Sequence, residues 1–203
     1  MKSILAPIAW ITLVVSLSSF LESSVTERFV VDSKLSSLLW TGKKVTGEHN
    51  GTVQISSGEL FLTDKLITRG NFEIDLSTIT VKDITDKDSN EKLVNHLKGD
   101  DFFGTAKFPK ANFTLSSISK KSGNEFEVKG KLTIKGVTND IQFPAVIEQD
   151  EKRLTATAKI VIDRTKFGIK FKSPNFFENL GDKAIYDDFE LALKLVATTK
   201  AGV

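Results

Sequence analysis

The sequence predicts an all-β protein, an extended antiparallel barrel of eight strands that carries one short helix as its lid. Residues 125–135 alternate between apolar and polar side chains, which is the pattern of a strand with one buried and one solvated face. Other segments repeat this pattern at hairpin spacing, whereas residues 88–99 have apolar side chains at helical spacing. Such strands form either a sandwich or a closed barrel, and a barrel of about eight strands can hold one small ligand.

The first 24 residues predict an export signal. Lys2 supplies a positive charge, and residues 4–17 form an uncharged apolar run that is too short to span a bilayer comfortably. Small serine residues follow without an Ala-x-Ala site, so we expect cleavage between residues 18 and 24, with an uncleaved anchor as the alternative. Residues 25–203 then form one domain, in the periplasm or secreted.

The composition argues against several classes of function. The formal net charge is +2 and cysteine is absent, so we expect no nucleic acid partner, no disulfide and no lipid-modified cysteine. The only two histidines, His49 and His96, are not spaced as metal ligands, and no serine-nucleophile motif occurs. We therefore expect no metal, no cofactor and no catalytic residue. Both a monomer and a dimer remain open.

The N-terminal half of the domain predicts a series of strands. The first begins near Phe29, and residues 38–45 form the next. Asn50-Gly51 is a strong hairpin signal, so we expect the chain to turn there and return in two short strands. Residues 71–76 then alternate sharply between apolar and polar side chains, which predicts one buried face.

The helical segment lies in the middle of the chain. Asp88 is the predicted N-cap, and Gly99 stands where a left-handed residue commonly ends a helix. The apolar stripe of the helix consists of Leu93, Val94 and Leu97. Four phenylalanines follow closely: Phe102, Phe103, Phe108 and Phe113. A lone amphipathic helix with such a cluster behind it predicts a lid over an apolar interior.

The C-terminal half contains the clearest strands. One inward-facing row runs from Phe126 to Ile134 and contains Gly130, which permits a bend or a bulge. The next inward row, in residues 154–162, contains Ala156 and Ala158. Their small side chains leave space inside the barrel, which predicts a retained cavity.

Four polar residues are candidates for contact with the head group of a ligand. His49 is either a turn residue that bonds backbone or a rim residue that faces a ligand. His96 flanks the apolar stripe of the helix, and we expect it to pack against the phenylalanines that follow. Asp163 and Arg164 end an inward-facing strand, where they form either a surface ion pair or an anchor for a polar head group.

Several short motifs occur in a characteristic order. They are Trp40-Thr41-Gly42 with Gly47-Glu48-His49-Asn50-Gly51, Gly70-Asn71-Phe72-Glu73-Ile74-Asp75, His96-Leu97-Lys98 with Asp101-Phe102-Phe103, Phe108-Pro109, Gly130-Lys131-Leu132-Thr133-Ile134-Lys135-Gly136, and Asp163-Arg164 with Phe167-Gly168. With this ordered set, the chain resembles the YceI-like family of lipocalin-like, polyisoprenoid-binding exported proteins. The resemblance implies an eight-stranded barrel whose apolar tunnel takes a long prenyl or other amphiphilic chain.

The inward-facing rows predict the lining of that tunnel. It consists of Trp40, Phe72, Ile74, Leu97, Phe102, Phe103, Phe113, Leu115, Phe126, Val128, Leu132, Ile134, Phe143, Ala156, Ala158, Ile160, Phe167, Leu191 and Leu193. The expected function is that of an exported carrier, and the expected partner is a long-chain amphiphilic lipid, such as an isoprenoid lipid or prenyl quinone, acquired in transient contact with a membrane. Two other hypotheses are a lipid-modifying enzyme with a rim histidine as its base and a structural β-domain without a ligand.

Overall fold

A computed structural model describes residues 25–199 of the chain. Nine strand segments and one α-helix make up most of it. The strands are β1 (Thr26–Val31), β2 (Ser37–Lys44), β3 (Gly47–Thr63), β4 (Leu66–Asp75), β5 (Lys110–Ser122), β6 (Glu125–Ile134), β7 (Val137–Gln149), β8 (Arg153–Asp163) and β9 (Ile185–Thr199). The helix, α1, spans Lys87–Lys98, and short 3₁₀ turns occur at Leu76–Thr78, Arg164–Phe167 and Gly181–Lys183. The predicted export signal, residues 1–24, lies outside the described residues.

The strands form one closed antiparallel sheet. β2 to β9 make the eight positions of the barrel, because β3 pairs with β4 and β2 pairs with both β3 and β9. β1 also pairs with β3 and with β9, the two neighbours of β2. β1 and β2 therefore occupy one strand position of the barrel, one after the other along its length. The predicted eight-stranded, lipocalin-like barrel with a single helix is therefore confirmed, and its core is the inner face of the barrel.

β3 is one long strand where the sequence predicted a turn and two short strands. Its pairing with β4 shifts register between Ile55 and Ser57, and this bulge reverses which residues face inward. Val53 and Ile55 face inward before the bulge, and Leu60 faces inward after it. A bulge thus keeps the inner face apolar over the 17 residues of the strand.

The hairpin predicted at Asn50-Gly51 was wrong, because both residues lie within β3. The chain turns earlier, between Lys44 and Gly47. Gly51 is required for a different reason: a Cβ atom there would lie 1.8 Å from the carbonyl oxygen of Thr80. The glycine therefore permits a close approach between backbones and not a turn.

The N-cap of the helix lies two residues before the predicted cap. The Asp86 carboxylate accepts a hydrogen bond of 2.9 Å from the Ser89 amide and is the N-cap, whereas Asp88 lies in the first turn. Gly99 caps the other end in an extended conformation, with φ −71°, so its predicted left-handed conformation was wrong. Gly104 instead adopts the positive φ, of 57°, in the turn that follows. None of the helices in residues 25–199 is both long and apolar enough to cross a membrane.

Gly130 makes room for an aromatic ring in the barrel wall. A Cβ atom at this position would lie 2.3 Å from the ring of Phe113, on the neighbouring strand β5. The bulge predicted for this region lies on β5, where the register shifts between Leu115 and Ser117 opposite Gly130. The absence of a side chain at Gly130 thus makes room for the ring of Phe113 on the next strand.

Candidate functional site

A cavity of about 120 Å³ lies inside the barrel, and every residue that lines it is apolar. Residues from all strands of the closed barrel, β2 to β9, contribute to its wall. They are Leu38, Ile55, Leu60, Ile67, Phe72, Ile74, Phe113, Leu115, Ile118, Val128, Leu132, Ile141, Phe143, Ala145, Ile147, Leu154, Ala156, Ile160, Ile162, Leu191, Leu193 and Leu195. We call this space the barrel cavity. A comparable apolar cavity of about 150 Å³ stays free of water and binds a benzene ring.

A second cavity of about 120 Å³, the lid cavity, lies between the barrel and the helical end of the molecule. Leu38, Ile74, Leu132 and Leu191 line both cavities, so a single layer of side chains separates them. Along β9, the lining residues extend from Ile185 to Leu195, roughly 33 Å of strand. The two cavities together form an elongated apolar space suited to a long, thin ligand.

The helix and the residues after it form the lid. Leu97 is the buried residue of α1, and it lines the lid cavity together with Phe102 and Phe103. Phe102 packs edge-to-face against His96, with ring centroids 5.0 Å apart. His96 also stands edge-to-face against Phe171, at 4.7 Å, which connects the helix to the loop before β9.

Arg164 is a buried cation at the wall of the lid cavity, with 4% of its surface exposed. Its guanidinium donates hydrogen bonds of 2.9–3.0 Å to the backbone carbonyls of Ile169, Ile185 and Tyr186. It also donates to the Asp187 carboxylate at 3.4 Å. Burial lowers the pKa of Arg164 and the nearby carboxylates oppose this shift, so the side chain stays charged. Most of its donors therefore serve the protein itself.

The other predicted head-group residues lie outside both cavities. Asp163 accepts hydrogen bonds from the amide and hydroxyl of Thr165, at 2.9 and 2.6 Å, and so caps the 3₁₀ turn. The Nδ1 atom of His49 lies 2.7 Å from the Asp83 carboxylate. His96, as predicted, packs against a phenylalanine of the lid. Neither histidine lines a cavity, so neither is placed to act on a ligand held there.

The His49–Asp83 pair fastens the segment after β4 to β3. Asp83 also accepts a hydrogen bond of 2.9 Å from the amide of Asn50. Burial raises the pKa of the Asp83 carboxyl, but the bonds from Asn50 and His49 outweigh it, and the pKa lies below its usual value. Among residues 25–199, no group of three His, Asp or Glu side chains is arranged to hold a metal ion.

The structure brings most of the predicted tunnel residues together. The barrel cavity is lined by Phe72, Ile74, Phe113, Leu115, Val128, Leu132, Phe143, Ala156, Ile160, Leu191 and Leu193 of the predicted set. The lid cavity is lined by Trp40, Ile74, Leu97, Phe102, Phe103, Leu132, Ile134 and Leu191 of that set. Their contact with a ligand stays a prediction.

Three residues of the predicted set, Phe126, Ala158 and Phe167, line neither cavity. Phe167 is buried in the 3₁₀ turn after β8. Phe126 and Ala158 pack against the core and line a groove in the barrel wall, which shares Ala145 and Leu193 with the barrel cavity. The β7–β8 ladder ends beside this groove, at Ala145 and Ala158. Pro144 has no N–H to donate, and a proline is tolerated where a strand lacks a partner, so the wall opens there.

Sequence reasoning missed about half of the barrel cavity's wall. The missed residues are Leu38, Ile55, Leu60, Ile67, Ile118, Ile141, Ala145, Ile147, Leu154, Ile162 and Leu195. Leu154, Ile162 and Leu195 belong to rows whose alternation was visible, so the pattern alone could have found them. Ile67 and Ile118 lie beyond register shifts in β4 and β5, which alternation does not reveal.

The fold and the cavities define a class of protein. A closed antiparallel barrel of eight strands, with an apolar interior under a helical lid, is a lipocalin-like β-barrel. Within that class, the chain belongs to the YceI-like family, because the model of the YceI-like domain matches residues 29–197. This confirms the resemblance found in the sequence motifs.

Individual relatives agree with this assignment. A UPF0312 protein of Staphylococcus aureus strain USA300 is 39% identical over 102 residues, which are 47% of this chain and 57% of that protein. The crystal structure of Burkholderia cenocepacia BcnA matches with a TM-score of 0.61 and 22% identity, over 83% of this chain and 99% of that one. A polyisoprenoid-binding domain from Saccharophagus degradans matches with a TM-score of 0.61 and 14% identity, over 85% and 98%. At these identities the two structures show the fold alone.

Proposed function

We propose that this protein is an exported carrier that holds the tail of a long-chain isoprenoid lipid inside its barrel. The observation that carries the proposal is the barrel cavity, whose wall contains no polar residue. Such a wall offers a ligand no hydrogen bond and no charge, so only an apolar group gains by entering it. The solved domain from Saccharophagus degradans, which shares the fold, is described as polyisoprenoid-binding.

The two cavities differ in a way that gives the ligand a direction. The barrel cavity is wholly apolar, whereas Arg164, Tyr186 and Asp188 border the lid cavity. An amphiphilic lipid therefore places its tail in the barrel cavity and its head group, a quinone ring or a phosphate, toward the lid cavity. One N–H of the Arg164 guanidinium is not used by the protein bonds described above, which leaves a donor for such a head group.

The energetics favour a long tail. Each buried methylene-sized group contributes about 0.8 kcal/mol, so the gain rises with the number of tail carbons that the two cavities take up. Immobilising the protein and ligand takes back part of this gain, on the order of 4–15 kcal/mol. A longer buried tail therefore leaves more net binding free energy than a short apolar molecule, whose gain is of the same size as this cost.

Native mass spectrometry tests the proposal on protein produced with its export signal in the host of origin. We expect a population with a bound mass, and extraction of that population should release a prenylated lipid. The matched comparison is the variant Leu39→Phe, which enlarges an exposed side chain on β2 and should keep the bound mass. Protein that is ligand-free in the host, and that binds no apolar fluorescent probe after purification, would contradict a carrier function.

The same preparation separates a carrier from a lipid-modifying enzyme. We expect the double variant His49→Ala, His96→Ala to retain the bound mass, because neither histidine lines a cavity. We also expect the extracted lipid to be chemically unchanged after incubation with the protein. A product that forms with the wild type and not with the double variant would show that the protein is an enzyme.

A further inference from the structure

The loop between β8 and β9 exposes two adjacent phenylalanines. Phe176 and Phe177 retain 48% and 50% of their surface in contact with solvent, and no other phenylalanine of residues 25–199 is exposed to this degree. Isolated apolar residues are common on protein surfaces, but two neighbouring aromatic rings form a patch. Such a patch gains free energy when it meets an apolar surface.

The backbone presents this patch in a fixed conformation. The amides of Phe176 and Phe177 both donate to the carbonyl of Ser173, at 3.1 and 2.9 Å, and Ser173 is fully buried. The amide of Ile185 donates to the Lys172 carbonyl at 2.9 Å, which ties the loop to the start of β9. Because the loop is already ordered, little conformational entropy is lost when the rings are covered.

The loop that carries the patch is basic. Residues 164–184 contain five basic and two acidic side chains, and Arg164 is the only buried one of the five. The remaining four are Lys166, Lys170, Lys172 and Lys183. The ammonium of Lys170 lies 4.3 Å from the ring centroid of Phe176, which is a cation–π contact, so a positive charge lies directly beside the exposed ring.

Two carboxylates next to the patch have polar or charged partners, whereas Asp188 is exposed. Asp187 accepts hydrogen bonds from Arg164 at 3.4 Å and from the Asn175 side chain at 2.6 Å. Glu190 forms ion pairs with Lys43 and Lys159. The loop contributes a net positive charge, because its four lysines outnumber the solvated carboxylates of Glu178 and Asp182, whereas Asp187, Asp188 and Glu190 of β9 lie beside it.

The patch adjoins the lid cavity. Tyr186, which is 48% exposed, lines that cavity, and so does Ile169 of the same loop. Phe171 contacts His96 and Phe102 of the lid, with ring centroids 4.7 and 5.6 Å apart. A surface that covers the phenylalanine pair would thus lie next to the head-group end of the proposed ligand site.

We infer that this loop docks the protein onto an anionic bilayer surface, with Phe176 and Phe177 in the interface and the lysines over lipid head groups. Aromatic rings and lysines are the side chains that bind at the interface of a negatively charged membrane. The contact places the lid cavity against the bilayer from which a lipid is loaded. The inference deepens the proposed function and rests on it, because loading a lipid is the reason for the contact. The contact itself needs no bound ligand.

Flotation with vesicles tests the inference on the mature protein. We expect binding to vesicles that contain phosphatidylglycerol, weak binding to vesicles of phosphatidylcholine alone, and a loss of binding at high salt. The variant Phe176→Ser, Phe177→Ser should bind at least about tenfold more weakly. The variant Lys170→Gln, Lys172→Gln should bind anionic vesicles about thirtyfold more weakly.

Leu66→Ser is the matched control, because Leu66 is 70% exposed in the hairpin between β3 and β4, at the opposite end of the barrel. It should bind vesicles like the wild type. Equal binding by the phenylalanine variant, or an equal loss in Leu66→Ser, would overturn the inference. A third outcome would also overturn it: the wild type does not bind vesicles but forms a dimer, and the phenylalanine variant is a monomer. The patch would then contact a second copy of the chain.

Native mass spectrometry of the phenylalanine variant separates the two proposals. Both rings lie outside the cavities, so the folded variant should keep the bound lipid while it loses vesicle binding. If the variant binds vesicles normally and still carries lipid, the docking inference is wrong and the carrier proposal stands. If the wild type binds vesicles but never carries lipid, the carrier proposal is wrong and the docking inference stands.

Discussion

The indole Nε1 of Trp40 donates a hydrogen bond of 3.0 Å to the backbone carbonyl of Thr80. Trp40 lies on β2 and lines the lid cavity, whereas Thr80 belongs to the segment between β4 and the helix. The bond passes over Gly51 of β3, which has no side chain to obstruct it. It satisfies the one polar atom of a large aromatic side chain that borders an apolar cavity.

Replacing Gly51 with alanine should disrupt this arrangement. The new Cβ atom would lie 1.8 Å from the Thr80 carbonyl oxygen and 2.8 Å from Trp40 Nε1, so the backbone must move. We expect a loss of about 3 kcal/mol in the free energy of unfolding, measured with urea. Gly42→Ala is the control, because a Cβ atom there meets only an ordinary contact of 3.8 Å with Trp40. Equal stability of the two variants would contradict this role for Gly51.

Ala156→Phe tests whether the barrel cavity is the ligand site. Ala156 lines that cavity, so a phenyl ring there occupies space that the lipid tail uses. We expect a folded protein, with the circular dichroism of the wild type, that no longer carries lipid in native mass spectrometry. In a solid core the same change would destabilise the protein by about 1–3 kcal/mol.

Val161→Phe is the control for this experiment, because Val161 lies on the same strand, β8, with 57% of its surface exposed. We expect this variant to keep its lipid. If Val161→Phe loses lipid and Ala156→Phe keeps it, the tail lies elsewhere than we propose.

Arg164→Lys should destabilise the loop before β9. A lysine keeps the charge but does not reproduce the planar fork that donates to the carbonyls of Ile169, Ile185 and Tyr186. Buried carbonyls then lose their partners, so we expect a loss of about 3 kcal/mol in urea unfolding. Lys166→Gln, which removes an exposed charge in the same turn, should change stability by less than about 0.5 kcal/mol. A stable Arg164→Lys variant with altered lipid preference would favour a head-group role instead.

The Asp83 carboxylate should make stability depend on acid pH. Its pKa is lowered in the folded protein, so the folded state favours the ionised form. The stabilisation is present above the unfolded pKa, about 3.9, and is lost as the pH falls through the lower folded value. Asp83→Asn should therefore cost about 1 kcal/mol at pH 7 and show a weaker decline below pH 4. Urea midpoints from pH 7 to pH 2 measure this, and parallel curves for variant and wild type would contradict it.

The sequence by itself determined the class of fold and about half of the barrel cavity's wall. Alternation of apolar and polar residues depends only on the two-residue period of a strand, so rows such as Leu154 to Ile162 identify the inner face directly. The single helix, with Leu97 toward the interior, followed from its apolar spacing in the same way. Such local periodicities need no knowledge of what packs opposite.

Only the tertiary structure decided which residues shape the ends and edges of the site. Asn50-Gly51 has the sequence of a turn, yet Gly51 is a strand residue because the Thr80 carbonyl approaches it from a distant segment. Arg164 follows a strand like a surface cation, yet three carbonyls of the next segment enclose it. Ala158 shares a row with Ala156 but lies where the β7–β8 ladder ends. Each outcome depends on contacts between residues far apart in sequence, which strand periodicity does not encode.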